Sequence, residues 1–343
     1  MLNHSTLNPP SPFDLNPVTT VADPTSVLFV DAGVGQRGLL TGRAAADTAV
    51  YWLDGVNPAI DQITQVLANY HDLDSVQIVS HGQVGAIQLG QTWLTSDNFT
   101  HYGRQLQTWG KALNATGDLL LYGCDVGQGQ VGLSLVVGLA QLTGADVAAS
   151  NDLTGNAALG GDWDLEVRSG EINIPGLVAE QFQGVLNPIV SLPGLAVTYQ
   201  ENAEPVVLDP GATVSDLTSM DFDTGTLTVT VSAGGTIGDR LSLKAQGDSV
   251  GQIGLDGRIV KFGGMPIGTY TGGIGSEALV FTFNASATPA AVQVLVKNLT
   301  YSNVAEDITS GNRTLQMVLT DGDGGTSQTV QKTVIVTGVN DAP

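Results

Sequence analysis

The chain has 343 residues, 33 acidic and 12 basic, and a net charge of −21 at neutral pH. Eighteen acidic and five basic residues precede position 186, and fifteen and seven follow it, so both parts are acidic; such a surface repels phosphate backbones and excludes nucleic acid as a partner. The one cysteine, Cys124, excludes an internal disulfide framework and a multi-thiolate metal site, while the length suffices for two separate cores.

Residues 1–25 hold five prolines and lack the basic start and apolar run of a signal peptide. They are predicted to form a flexible arm, and export would rely on a signal elsewhere. Residues 26–185 read as alternating strands and helices. Apolar runs at 27–31, 49–53, 75–80, 118–123 and 145–149 are predicted strands. Helices are predicted over 58–70, where Ile60, Ile63, Val66, Leu67 and Tyr70 recur at helical spacing, and over 99–113 and 131–143. A hairpin arm at 84–89 and an edge strand at 162–167 complete the unit. This βαβα order predicts an α/β fold with an open, mostly parallel sheet covered by helices on both faces. Residues 186–194, LNPIVSLPG, read as a linker. Short alternating segments follow at 197–200, 227–231, 241–244, 278–283, 316–319 and 329–336, separated by Gly- and Asp-rich turns. With one helix over 290–297, they predict an all-β sandwich over 195–343. No apolar run approaches a membrane span.

Two strand ends carry chemistry. SVQIVS runs into His81-Gly82, and DLLLYG runs into Cys124-Asp125. In an open parallel sheet, functional side chains sit beyond the carboxyl ends of the strands. With one helical crossover between them, these two strands are predicted neighbours, so that His81 faces Cys124. An imidazole favours the thiolate that attacks a carbonyl. Backbone N–H groups around Gly82, Gly123 and Cys124 are candidate oxyanion donors. Asp31 and Asp152, at the ends of the first and fifth strands, are candidate linings of a pocket for a Lys or Arg side chain. The alternative for both carboxylates is turn chemistry.

An apolar strand ending in His-Gly, followed 43 residues later by one ending in Gly-Cys, resembles the caspase, legumain, gingipain and separase group of cysteine peptidases. The resemblance implies that His81 is the general base and acid and Cys124 the nucleophile. It departs from true caspases around the cysteine, which reads Gly-Cys-Asp-Val, so it implies no specificity for Asp. The phrases VDAGV, SHGQVGAIQLG, LLLYGCDVGQG, LTGADVAASNDLTG and GGDWDLE resemble an uncharacterised domain family found near the start of very large bacterial surface proteins. Residues 190–343 resemble a cadherin-like repeat of bacterial adhesins, through TYQEN, DFDTGTLTVTV, TDGDGG and GVNDAP. That resemblance implies further repeats after Pro343 and calcium held by Glu201, Asp321, Asp323, Asn340 and Asp341, as oxygen ligands suit calcium. Asp221 and Asp223 form a second acidic pair, and turn chemistry is again the alternative.

The sequence therefore predicts a caspase-like cysteine peptidase unit on a calcium-binding repeat, at the cell surface of a bacterium or secreted from it. Its substrate is a peptide or protein, the parent chain included, with the Pro-rich arm and the 186–194 linker as candidate sites of self-processing. The rival reading is a non-catalytic cap or docking module of an adhesin. A redox or acyl-transfer enzyme ranks third, because the sequence holds no resolving cysteine and no cofactor motif.

Overall fold

The computed structural model describes residues 15–42, 44–177, 179, 181–216 and 218–339. The chain divides into two compact units, Met1–Leu186 and Asn187–Pro343.

In the first unit the strands are β1 (Ser26–Val30), β2 (Thr48–Trp52), β3 (Leu73–Val79), β4 (Gly82–Gln83), β5 (Ala86–Leu89), β6 (Thr92–Thr95), β7 (Leu113–Tyr122), β8 (Asp146–Ala149) and β9 (Val167–Ser169). The helices are α1 (Arg37–Thr41), α2 (Ala59–Leu67), α3 (Phe99–Ala112) and α4 (Gly129–Thr143). The main sheet has the order β2-β1-β3-β7-β8-β9, parallel except for β9 at the edge. Its central strands are near-continuous apolar runs because both faces are covered. The chain moves one way across the sheet from β1 to β2 and the other way from β2 to β3, β7 and β8. Right-handed crossovers made in opposite directions place their helices on opposite faces. Accordingly α2, α3 and α4 bury one face with Ile63, Trp109 and Leu135, while Leu40 of α1 lies in the cluster on the other. Gly110 of α3 permits close packing, since a Cβ there would fall 1.8 Å from the carbonyl oxygen of Thr143 at the end of α4.

Helices therefore do not share the second face evenly. Beyond α1 it is covered by irregular chain that contributes Leu165, Leu177, Ala179, Phe182 and Leu186. Pro175 lacks the amide proton that a helix interior needs, and Gly176 and Gly184 disfavour helix. The edge strand predicted over 162–167 lies at Val167–Ser169. Asp162 instead makes an isolated bridge with Thr154, and its carboxylate accepts the amide of Asp164 at 2.9 Å in a local turn. The hairpin arm is a three-stranded sheet, β4-β5-β6. The predicted arm is partly tied down: Val18 donates its amide to the Val50 carbonyl at 2.8 Å, covering the open edge of β2. Residues 1–14 lie outside the described residues.

The second unit is strand-rich. Its strands are β10 (Ile189–Ser191), β11 (Val197–Gln200), β12 (Val206–Val207), β13 (Thr213–Ser215), β14 (Thr226–Ala233), β15 (Asp239–Leu243), β16 (Ile253–Asp256), β17 (Ile259–Phe262), β18 (Met265–Thr271), β19 (Leu279–Phe283), β20 (Leu299–Asn303), β21 (Gly311–Thr320) and β22 (Val330–Thr337). The large sheet runs β11-β22-β21-β14-β19-β18-β17-β16, and β12-β20-β15 forms a smaller one. Alternate residues of β21, among them Leu315, Met317 and Leu319, face a shared core. The helix α5 (Pro289–Lys297) covers part of that core, with the Thr288 hydroxyl accepting the Ala291 amide and Pro289 in its first turn. The predicted linker is structured in part, because 189–191 is β10, paired with β13. Among the described residues no helix is long and apolar enough to cross a membrane.

Candidate functional site

The sheet order reverses between β1 and β3, and in open α/β sheets the crevice beyond such a switch point is where ligands bind. His81 lies two residues past the end of β3, and Cys124 two past the end of β7. These strands are parallel neighbours, with Val79 opposite Tyr122, and the Ser80 amide donates to the Tyr122 carbonyl at 3.0 Å. The same register carried two residues further puts His81 opposite Cys124. Gly82 and Gly123 let the strand ends close together. A Cβ on Gly82 would sit 2.5 Å from the Cys124 carbonyl oxygen, and one on Gly123 would sit 3.0 Å from that of Ser80. Beside them, His81 Nε2 faces the carbonyl oxygen of Gly33, in the loop after β1, at 3.1 Å.

His81 and Cys124 are both fully buried. Burial pushes the Cys124 thiol up to about 12. The N–H groups of Thr154, Leu186 and Cys124 itself favour the thiolate, and the Asp125 carboxylate opposes it. The Thr154 amide donates to Sγ at 3.4 Å. Asp125 holds a left-handed φ of 61° and is tied by its amide to the Asp152 carbonyl at 2.8 Å. That turn leads from Cys124 into the loop before α4.

The site also contains chain to which the sequence assigns no element, from Phe182 up to Leu186, where the predicted linker begins. Leu186 donates its amide to the Thr154 carbonyl at 2.9 Å, and Gly184 accepts the Asn156 amide at 2.8 Å. Val185 pairs antiparallel with Gly155, and the Asn156 side chain donates to the Phe182 carbonyl at 2.9 Å. The Leu186 carbonyl oxygen lies against His81 Nδ1, and the Leu186 side chain is fully buried in the same cluster as Cys124. Sequence reasoning missed these residues. The run GVL is too short to show a period, and the LNP that follows reads as a break.

Asp31 is buried, and its carboxylate accepts the amides of Gly33 at 3.0 Å and Gly90 at 2.7 Å. It joins the loop after β1 to the β5–β6 turn rather than standing open. Asp152 belongs to a different group: one carboxylate oxygen each from Asp152, Asp162 and Glu166 lie within 4.8 Å of one another. Burial and then the Asp162 charge raise the pKa of Asp152, while burial foremost raises that of Glu166.

In the second unit the two oxygens of Glu201 accept the amides of Ile308 at 2.9 Å and Val339 at 2.7 Å. Asp321 accepts the amides of Asp323 and Gly324, both at 2.9 Å. Asp323 accepts the Ser219 hydroxyl, and Asp221 accepts the Asp223 amide at 3.0 Å. Among the described residues these carboxylates act as turn and strand-end acceptors and form no group of three convergent acidic ligands. Asn340 and Asp341 lie outside the described residues.

Residues 27–186, just under half of the chain, match a family described as a domain of unknown function (DUF4347). No curated protein matches the chain.

Proposed function

We propose that the first unit is a caspase-like cysteine endopeptidase, with Cys124 as nucleophile and His81 as general base and acid, attached to a cadherin-like repeat of a bacterial surface protein. The observation that carries this reading is the placement of His81 and Cys124 at the adjoining carboxyl ends of two parallel strands, beside the switch point, with Gly82 and Gly123 at the point of closest approach. In this reading Cys124 Sγ attacks a peptide carbonyl and passes its proton to His81. His81 returns that proton to the leaving amine, and water then hydrolyses the thioester.

A non-catalytic docking module is the second reading, and the full burial of Cys124 favours it. Labelling of Cys124 by a peptide chloromethyl ketone separates the two. It is measured near neutral pH in the wild-type chain and in Leu186→Asp, which unseats the covering segment, each with and without His81→Ala. The peptidase reading expects rapid labelling of Leu186→Asp that drops at least ~100-fold without His81. Slow labelling that ignores His81 in every chain leaves the docking module.

A further inference from the structure

The segment that hides Cys124 is laid down as an extended strand beside the site. Leu186 N–H to the Thr154 carbonyl, Asn156 N–H to the Gly184 carbonyl and the Val185–Gly155 pairing make a short antiparallel ladder. This is how a peptide is bound by strand addition: main-chain bonds supply affinity, and a buried side chain supplies selectivity. The buried side chain here is Leu186, seated among Leu177, Ala179, Phe182 and Cys124. The ladder depends on close backbone approach. Gly155 has φ 143°, and a Cβ there would fall 2.4 Å from the Gly184 carbonyl oxygen. The carbonyl that follows the last paired amide is that of Leu186, and it faces His81 Nδ1. Leu186 is also the last residue of the first unit.

We propose that residues 184–186 are the peptidase's own substrate strand, and that the bond cut in cis is the Leu186–Asn187 peptide bond joining the two units. This rests on the peptidase reading. The Cys124 thiol loses its proton to the His81 ring, and a ring carrying both protons donates to the two carbonyl oxygens that face it, those of Gly33 and Leu186. Sγ bonds to the Leu186 carbonyl carbon, and the bond to the Asn187 nitrogen breaks as His81 returns the proton to that nitrogen. Water then cleaves the thioester, freeing a Leu186 carboxylate and restoring the thiol. The selectivity that follows is for an apolar residue before the cut. It replaces the Lys or Arg expected from Asp31 and Asp152, since the Asp31 carboxylate is held by two backbone amides.

The test is intact-mass analysis of the full chain during prolonged incubation at neutral pH. Two fragments are expected, one ending at Leu186 and one starting at Asn187. Cys124→Ala should abolish them, and His81→Ala should slow them at least ~100-fold. Gly155→Ala, which disturbs the ladder without touching the pair, should slow them by about 100-fold as well, with circular dichroism confirming that the variant is folded. A chain that stays whole, or is cut elsewhere, overturns the assignment of this bond. Should the chain stay whole while folded Leu186→Asp still labels rapidly and with His81 dependence, only the cleavage proposal falls. Should Cys124 of that variant also label slowly without regard to His81, the peptidase reading falls with it.

Discussion

At the scale of single residues, the thiol is set by three influences: burial, the amides around it, and the acid next to it. Burial outweighs the N–H groups of Thr154, Leu186 and Cys124, and Asp125 adds to the upward push. Asp125 is removable because its left-handed backbone is one that Asn also tolerates. Asp125→Asn should therefore keep the turn and lower the thiol's apparent pKa from about 12. Alkylation at fixed pH should quicken roughly threefold to tenfold, corresponding to about half a unit to one unit. A labelling rate measured across pH checks this, and an unchanged or slower rate would mean that the Asp125 charge does not reach the sulfur.

At the scale of elements, the site exists because two strand ends touch. The neighbouring ends of β3 and β7 carry His81-Gly82 and Gly123-Cys124, and a methyl group on Gly82 would meet the Cys124 carbonyl oxygen and Val126 Cγ2, each at 2.5 Å. Neither neighbour is the free end of a flexible chain, so the backbone must yield. Gly82→Ala should cost about 1–3 kcal/mol of stability. It should also reduce His81-dependent labelling of Cys124, although both reactive side chains remain. Urea unfolding and the labelling rate measure the two effects, and a full-speed, fully stable variant would show that the close approach is not needed.

At the scale of the whole molecule, the acids most shifted by burial are held in opposite ways in the two units, while Asp54 of the first is lowered by hydrogen bonds from Asn57. In the second, Asp209 is disfavoured by burial, but Lys332 at 2.8 Å and the Gly194 and Gly211 amides more than offset this, and its pKa is lowered. Asp239 is likewise lowered despite burial, by Tyr301, Thr236, Asn303 and Arg313. Lowered acids stabilise above their unfolded values of about 4, and that contribution is lost as pH falls through the folded values. In the first unit, burial foremost raises Asp118, Asp125, Asp152 and Glu166. Raised acids contribute fully below about 4, and that contribution is lost as pH rises through the folded values. Calorimetry as pH is lowered from 7 toward about 4 should thus move the first unit's transition upward. The second unit's transition should hold until pH nears about 4 and then drop. Parallel movement of both would contradict this division. Lys332→Met should destabilise the second unit by about 3–5 kcal/mol, because it leaves the buried Asp209 charge without its partner.

The sequence by itself determined the α/β order of the first unit, its parallel strands and the strand-rich character of the second. Each follows from short-range periodicity: the helical spacing of Ile60, Ile63, Val66 and Leu67, the apolar run of β3, and the alternation along β21. It also put His81 and Cys124 at strand ends, because apolar runs lead directly into each, and made those strands neighbours, because a single helical crossover separates them. The β16–β18 meander and the two-residue strand β12 were not legible, since Gly-rich pairs and very short strands carry little period. Only the tertiary structure decided what the acids do: Asp31, Glu201 and Asp321 accept backbone amides from loops far from them in sequence or from their own turns. It alone brought residues 184–186 back over His81. That contact joins the His81 ring to a residue 105 positions away, and the Leu186 side of it is a backbone carbonyl, which every residue carries and no sequence pattern marks.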